Sequence, residues 1–158
     1  MKLLKLMILA LAVAIAQPVL AQDKGGNTNM EILRQKLKAD KKLVVAANME
    51  LTEAEGKKFW PIYESYQDDL KKLNQRLGRL IVDYAEAYNK GVVPDATAKK
   101  LLNEALSIEE AEVKLKRSYV PKLEKALSAM KVARYIQLEN KIRAAIRYEL
   151  AAEIPLVE

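Results

Sequence analysis

The stretch LTEAEGKKFWPIYESYQDDLKKLNQRLGRLIVDYAEAYNKG, residues 51–91, decides the fold. Thr52 followed three residues later by Glu55 is a capping box, in which each side chain satisfies a backbone amide that a helix start leaves free. Beyond it, bulky residues recur at Phe59, Tyr63, Tyr66, Leu70, Leu73, Leu77, Leu80, Tyr84 and Tyr88, always three or four apart. That spacing draws one apolar seam along one helix. Gly91 is a natural C-terminal stop, and Pro94 follows just beyond it. At 1.5 Å per residue the helix is on the order of 57 Å long. Pro61 lies inside it and predicts a bend about two turns from its start.

Working outward, Val92 to Asp95 form a tight connection, so a third helix must fold back antiparallel on the second. Leu101, Leu102, Ala105, Ile108, Glu112, Leu115 and Tyr119 trace its stripe, Glu112 being the one polar interruption. Pro121 predicts another kink. Ser128 opens a fourth helix that carries Ala133, Ile136 or Tyr135, Leu138, Ile142, Ala145 and Ile146 to about Leu150. Upstream, Ile32, Leu33, Leu37, Val44 and Ala47 give a first helix over 30–48. The tail Ile154 to Val157 is apolar enough to cover the open end of the bundle or to bind a partner. No strand-like alternation occurs. The expected fold is all-α, four helices with a long kinked antiparallel hairpin as spine. Its seam is longer than a compact bundle needs, which leaves surface for a homodimer contact or an open binding face.

The first residues read as an export signal. Lys2 and Lys5 precede an eleven-residue apolar run, Leu6 to Ala16, and Ala21 supplies the small residue at the cut. The run is short of the ~20 residues that span a bilayer, so the expectation is cleavage after Ala21, with no membrane span. This divides the chain into a signal peptide (1–21), a polar leader with Gly25 and Gly26 (22–29) and a single helical domain (30–158), localised in the periplasm.

Composition narrows the chemistry. The 158 residues hold no histidine and no cysteine. That excludes a thiolate nucleophile, a Ser-His-Asp triad, an imidazole base and the usual zinc site. The reading is therefore a protein that is not an enzyme and carries no cofactor or metal. The net charge is +6, or +4 once Lys2 and Lys5 are removed. In an exported protein that sign favours acidic protein segments or anionic envelope lipid over nucleic acid.

An internal echo adds a second line of inference. Leu51-Thr52 with Phe59-Trp60 recurs as Leu127-Ser128 with Tyr135-Ile136, 76 residues on. The pattern resembles the Leu-Thr-x-x-Gln signature of Spy/CpxP-type periplasmic proteins, with Glu55 and Lys131 standing where glutamine is usual. Glu55 can still close a capping box, whereas Lys131 cannot do that job. The resemblance implies a small exported all-helical protein with a long bent hairpin, often dimerising into a shallow cradle. It also implies an ATP-independent chaperone that shields apolar segments of unfolded envelope proteins. The alternative is a regulatory or inhibitory subunit that binds a sensor protein's periplasmic domain. Some members of that group bind zinc through histidine, which this chain lacks.

Candidate contact residues follow from exposed-aromatic and charge arguments. Phe59, Trp60 and Tyr63 form an aromatic cluster suited to capturing apolar peptide. Phe59 and Tyr63 also fall on the seam, while Trp60 starts a row beside it that continues through Gln67 and Asn74. Trp60 can equally pack under the first helix or the tail. Ten basic residues lie between Lys114 and Arg147, opposed only by Glu124 and Glu139. Arg117, Lys131 and Arg134 are the candidates from this basic stretch, which either speeds capture of acidic clients or pairs with acids on neighbouring helices.

Overall fold

The computed structural model describes residues 40–157, and within them the chain forms four helices and no strand. The expected signal peptide, the expected leader and residues 30–39 of the expected first helix lie outside the described residues. We number the helices α1 (40–49), α2 (Glu53–Asn89), α3 (Asp95–Glu124) and α4 (Ala129–Glu153).

Local chemistry sets the boundaries. Thr52 Oγ1 accepts from the Glu55 amide (3.2 Å) while Glu55 Oε2 accepts from the Thr52 amide (2.8 Å), closing the capping box at the start of α2. The helix runs on through Pro61 to Asn89. Gly91 then adopts φ +118°, a conformation that side-chain-bearing residues avoid, and this turns the chain into α3. Ser128 starts α4 by accepting from the Lys131 amide through its side-chain oxygen. The α1–α2 connection needs Glu50 at φ 47°.

Side-chain pairings give the directions. Lys41 meets Gln67 and Lys42 meets Glu64, so α1 runs antiparallel to α2. Tyr66 stacks edge-on against Tyr119, and Arg76 pairs with Glu104, so α3 is antiparallel to α2 as well. Tyr135, Glu139, Arg143 and Pro155 meet Phe59, Gln67, Asn74 and Tyr84 in turn, so α4 runs parallel to α2. Four helices therefore converge at the end where α2 and α4 begin, and the hairpin extends alone toward Gly91 except for the end of α4 and the tail.

The main core sits at the four-helix end. Val45 and Met49 from α1, Phe59, Tyr63, Tyr66 and Leu70 from α2, and Tyr119 and Leu123 from α3 pack with Leu127, Val132 and Tyr135. A smaller cluster further along centres on Ile81, with Leu77, Val82, Leu150 and Ile154. Ile108, Glu112, Leu115 and Tyr119 of α3 and Tyr135, Ile136 and Leu138 of α4 face the core as the spacing predicts, and single positions on each helix differ. On α4 the buried face is Val132, Tyr135 and Glu139, while Ala133 is exposed. On α3 Leu102 points outward, and the inner row passes through Ile108, Glu112 and Tyr119. Ile154 covers the Ile81 cluster, whereas Leu156 and Val157 stay exposed.

Tyr63 presents a clean test of packing against polarity. Its ring is fully buried, and among the described residues its hydroxyl has no hydrogen-bond partner. Burial, with Glu139 and Glu64 nearby, pushes its ionisation upward. Tyr63→Phe removes a desolvated hydroxyl at no loss of contact. Urea unfolding is expected to show stability unchanged or raised by up to about 1 kcal/mol; a clear loss would mean that the hydroxyl has a partner.

Candidate binding surface

The two motif copies meet in space. Although 76 residues separate them, Lys131 reaches from the start of α4 to the start of α2, where its ammonium donates to Glu55 Oε2 at 2.6 Å and to the Glu50 carbonyl at 2.9 Å. The positions three residues after each hydroxyl N-cap thus hold an acid in one copy and a base in the other, and the pair bridges the copies. Lys131 holds the Glu55 carboxyl below the ordinary carboxylate range, and the Thr52 amide adds to the effect. Arg134 reinforces the junction through Glu50, 3.6 Å away.

This geometry corrects the aromatic contact surface expected from sequence. Phe59 and Tyr63 are fully buried, so neither presents a face to a client. They form an edge-to-face cluster with Trp60, Tyr66 and Tyr135 whose ring centroids lie 5.0 to 6.1 Å apart. Trp60 is half-buried against the same core, and Lys42 of α1 lies over its ring at 5.1 Å. Of the two readings of Trp60, packing under the first helix is the one observed. Lys131 and Arg134 are bound into the junction, and of the basic candidates Arg117 stands exposed on α3, well removed from them in sequence.

The row that Trp60 begins has a different use. Gln67 donates to Glu139 Oε1 at 2.8 Å, and Lys41 binds the other oxygen of the same carboxylate at 2.8 Å. Asn74 Oδ1 accepts from Arg143 at 2.6 Å. The seven-residue steps from Trp60 to Gln67 to Asn74 are a polar track on α2, and Glu139 and Arg143, one turn apart on α4, follow it.

Two carboxylates on these tracks are only 3% exposed, Glu112 and Glu139. Glu112 is held by Arg143 (2.8 Å), Lys116 (2.9 Å) and Arg147 (3.3 Å). Burial opposes its charge, but the Lys116 and Arg143 cations outweigh burial and keep the carboxyl below its ordinary value. Its contribution to stability is therefore full above the ordinary carboxyl range and is lost as pH falls through the depressed value. Tyr119 donates to Asp69 Oδ2 at 2.7 Å, and burial together with that carboxylate pushes its hydroxyl up to about 12.

Among the described residues, several large apolar side chains are exposed, Leu43, Val92, Met130 and Tyr148 among them, and the outer side of α3 groups three along one helix face. Leu102, Leu106 and Val113 share one helix face and are 58%, 49% and 51% exposed. Steps of four and seven residues keep them in line over about 16 Å. Arg117 continues the row; Glu109 lies within it, between Leu106 and Val113, and Glu110 beside it. The sequence carried a signal for this surface in its second apolar row along the helix, which a search for one core stripe absorbs. Among the described residues no helix is long and apolar enough to cross a membrane. No protein family, curated protein or solved structure matches this chain.

Proposed function

We propose that the protein is an exported, nucleotide-independent binding module of Spy/CpxP type that works in the periplasm and shields apolar segments of unfolded envelope proteins. The observation that carries this reading is the exposed apolar row Leu102, Leu106 and Val113 on α3. Exposed apolar side chains grouped on one helix face, here on either side of Glu109, are the kind of surface an interaction site uses. Loose contact along one helix face suits such work, because a client must leave in order to fold. The fixed charges of Glu109, Glu110 and Arg117 in and beside the row would orient clients of either sign.

The test is light scattering as a chemically denatured, unrelated protein is diluted into the purified chain without nucleotide. Suppression of aggregation near equimolar ratio is expected. Replacing Leu102, Leu106 and Val113 together by glutamine should abolish most of it while the helical circular dichroism stays unchanged, since surface substitutions seldom shift stability by more than about 0.5 kcal/mol. Suppression that survives the triple variant would refute the assignment of this row. No suppression by the parent chain would favour the regulatory alternative, in which one sensor-protein domain is bound at fixed stoichiometry.

A further inference from the structure

Beyond residue 140, α4 changes character. Residues 144–149 are all exposed. This half is held by Arg143 between Glu112 and Asn74, by Arg147 on Glu112 and Glu109, by the Tyr84 hydroxyl donating to the Pro155 carbonyl at 3.0 Å, and by Leu150 and Ile154 on Leu77, Ile81 and Val82. The ionic part is a weak hold, because withdrawing a carboxylate and a guanidinium from water costs nearly what their attraction returns. The apolar part is a few side chains. The first half of α4, by contrast, inserts Val132 and Tyr135 into the main core.

We infer that the second half of α4 is a releasable arm, and that the face beneath it is a docking surface for an apolar helical segment carrying arginine or lysine. The seated arm displays the chemistry that fits. Its apolar anchors are Leu150 and Ile154, and its guanidiniums stand seven and three residues before the first anchor. Once the arm lifts, Glu112 keeps only Lys116 of its own helix, while α2 offers the uncharged Asn74 and Tyr66 nearby. A segment without a cation would leave that carboxylate undercompensated, and an acidic one would add repulsion. This inference extends the proposed binding role to a second face, and rests on that role for its natural occupant but not for its test.

The test uses a fluorescein-labelled peptide with the sequence of residues 140–157, titrated with the full chain and followed by anisotropy. Saturable binding is expected. Arg143→Met in the full chain loosens its own arm and leaves Glu112 in place, so it should tighten peptide binding by at least about fivefold, because a larger share of the molecules is open. A peptide with glutamate in place of both arginines should not bind. If the Arg143→Met chain loses helix, Arg147→Gln, at a half-exposed position, serves instead. Absence of saturable binding, or equal binding of the charge-reversed peptide, would overturn the inference. The α3 row is intact in every one of these chains, so failure here leaves the proposed function standing, and failure of the α3 test leaves this result standing.

Discussion

Tyr135→Ala is expected to lower the unfolding free energy by about 3–5 kcal/mol, the range for deleting a large buried aromatic ring. The ring is fully buried and lies 5.1 Å from Phe59 and 6.1 Å from both Tyr63 and Tyr66. It is the side chain by which α4 enters a cluster otherwise built from α2, so its loss opens a cavity at the meeting of several elements. Its hydroxyl also accepts from Gln67 at 3.3 Å, and burial beside Glu139 drives its ionisation upward. Tyr135→Phe separates the two parts, since it keeps the ring and should cost about 1 kcal/mol. Thermal or urea unfolding measures both variants. A Tyr135→Ala loss under 1 kcal/mol would show that α4 is not part of the main core.

Glu139→Ala ranks next, at about 2–4 kcal/mol. The carboxylate is buried, and it is the shared acceptor for the Lys41 ammonium and the Gln67 amide. Removing it takes the charged acceptor from both donors, leaving Lys41 only Gln67 Oε1 (2.8 Å) and the Gln67 amide only the long bond to the Tyr135 hydroxyl (3.3 Å), a larger penalty than the net worth of the lost bonds. Lys41 is 21% exposed and can turn to water, which keeps the figure below that of a fully enclosed pair. The same variant should loosen α1, so its amides in 40–49 are expected to exchange faster than those of 59–66. Uniform acceleration across all four helices would mean that α1 and the hairpin open as one unit.

The start, seam and stop of α2 were legible because each is local. A capping box, a three-and-four spacing and a glycine at positive φ act within a few residues of themselves. The face of α4 was legible only in part: Tyr135, Ile136 and Leu138 do pack on the core, but apolar periodicity passes over a buried carboxylate. Val132, Tyr135 and Glu139 share that face, and the third of them counts as polar in any pattern. Leu102 was assigned to the core for the related reason that α3 carries two apolar rows and the spacing alone does not say which is inside. The burial of Phe59 and Tyr63 was hidden for a different cause. Phe59 and Tyr63 look like a docking cluster in one dimension, but Tyr135 arrives from 76 residues away to cover Phe59. Lys131, judged unable to close its own cap, instead serves the other copy.

That long reach also orders the events of folding. A chain that emerges N-terminus first during synthesis presents α2 and then α3, whose pairing closes only the short turn around Gly91. The ring cluster and the Glu55–Lys131 bridge need closure of a loop of some 76 residues, which is entropically costlier and slower. Until residue 135 has emerged, Phe59, Tyr63 and Tyr66 lack their lid. The nascent hairpin therefore passes through a stage in which it displays the kind of aromatic surface that the finished protein hides, and the last quarter of the chain sets how long that stage lasts.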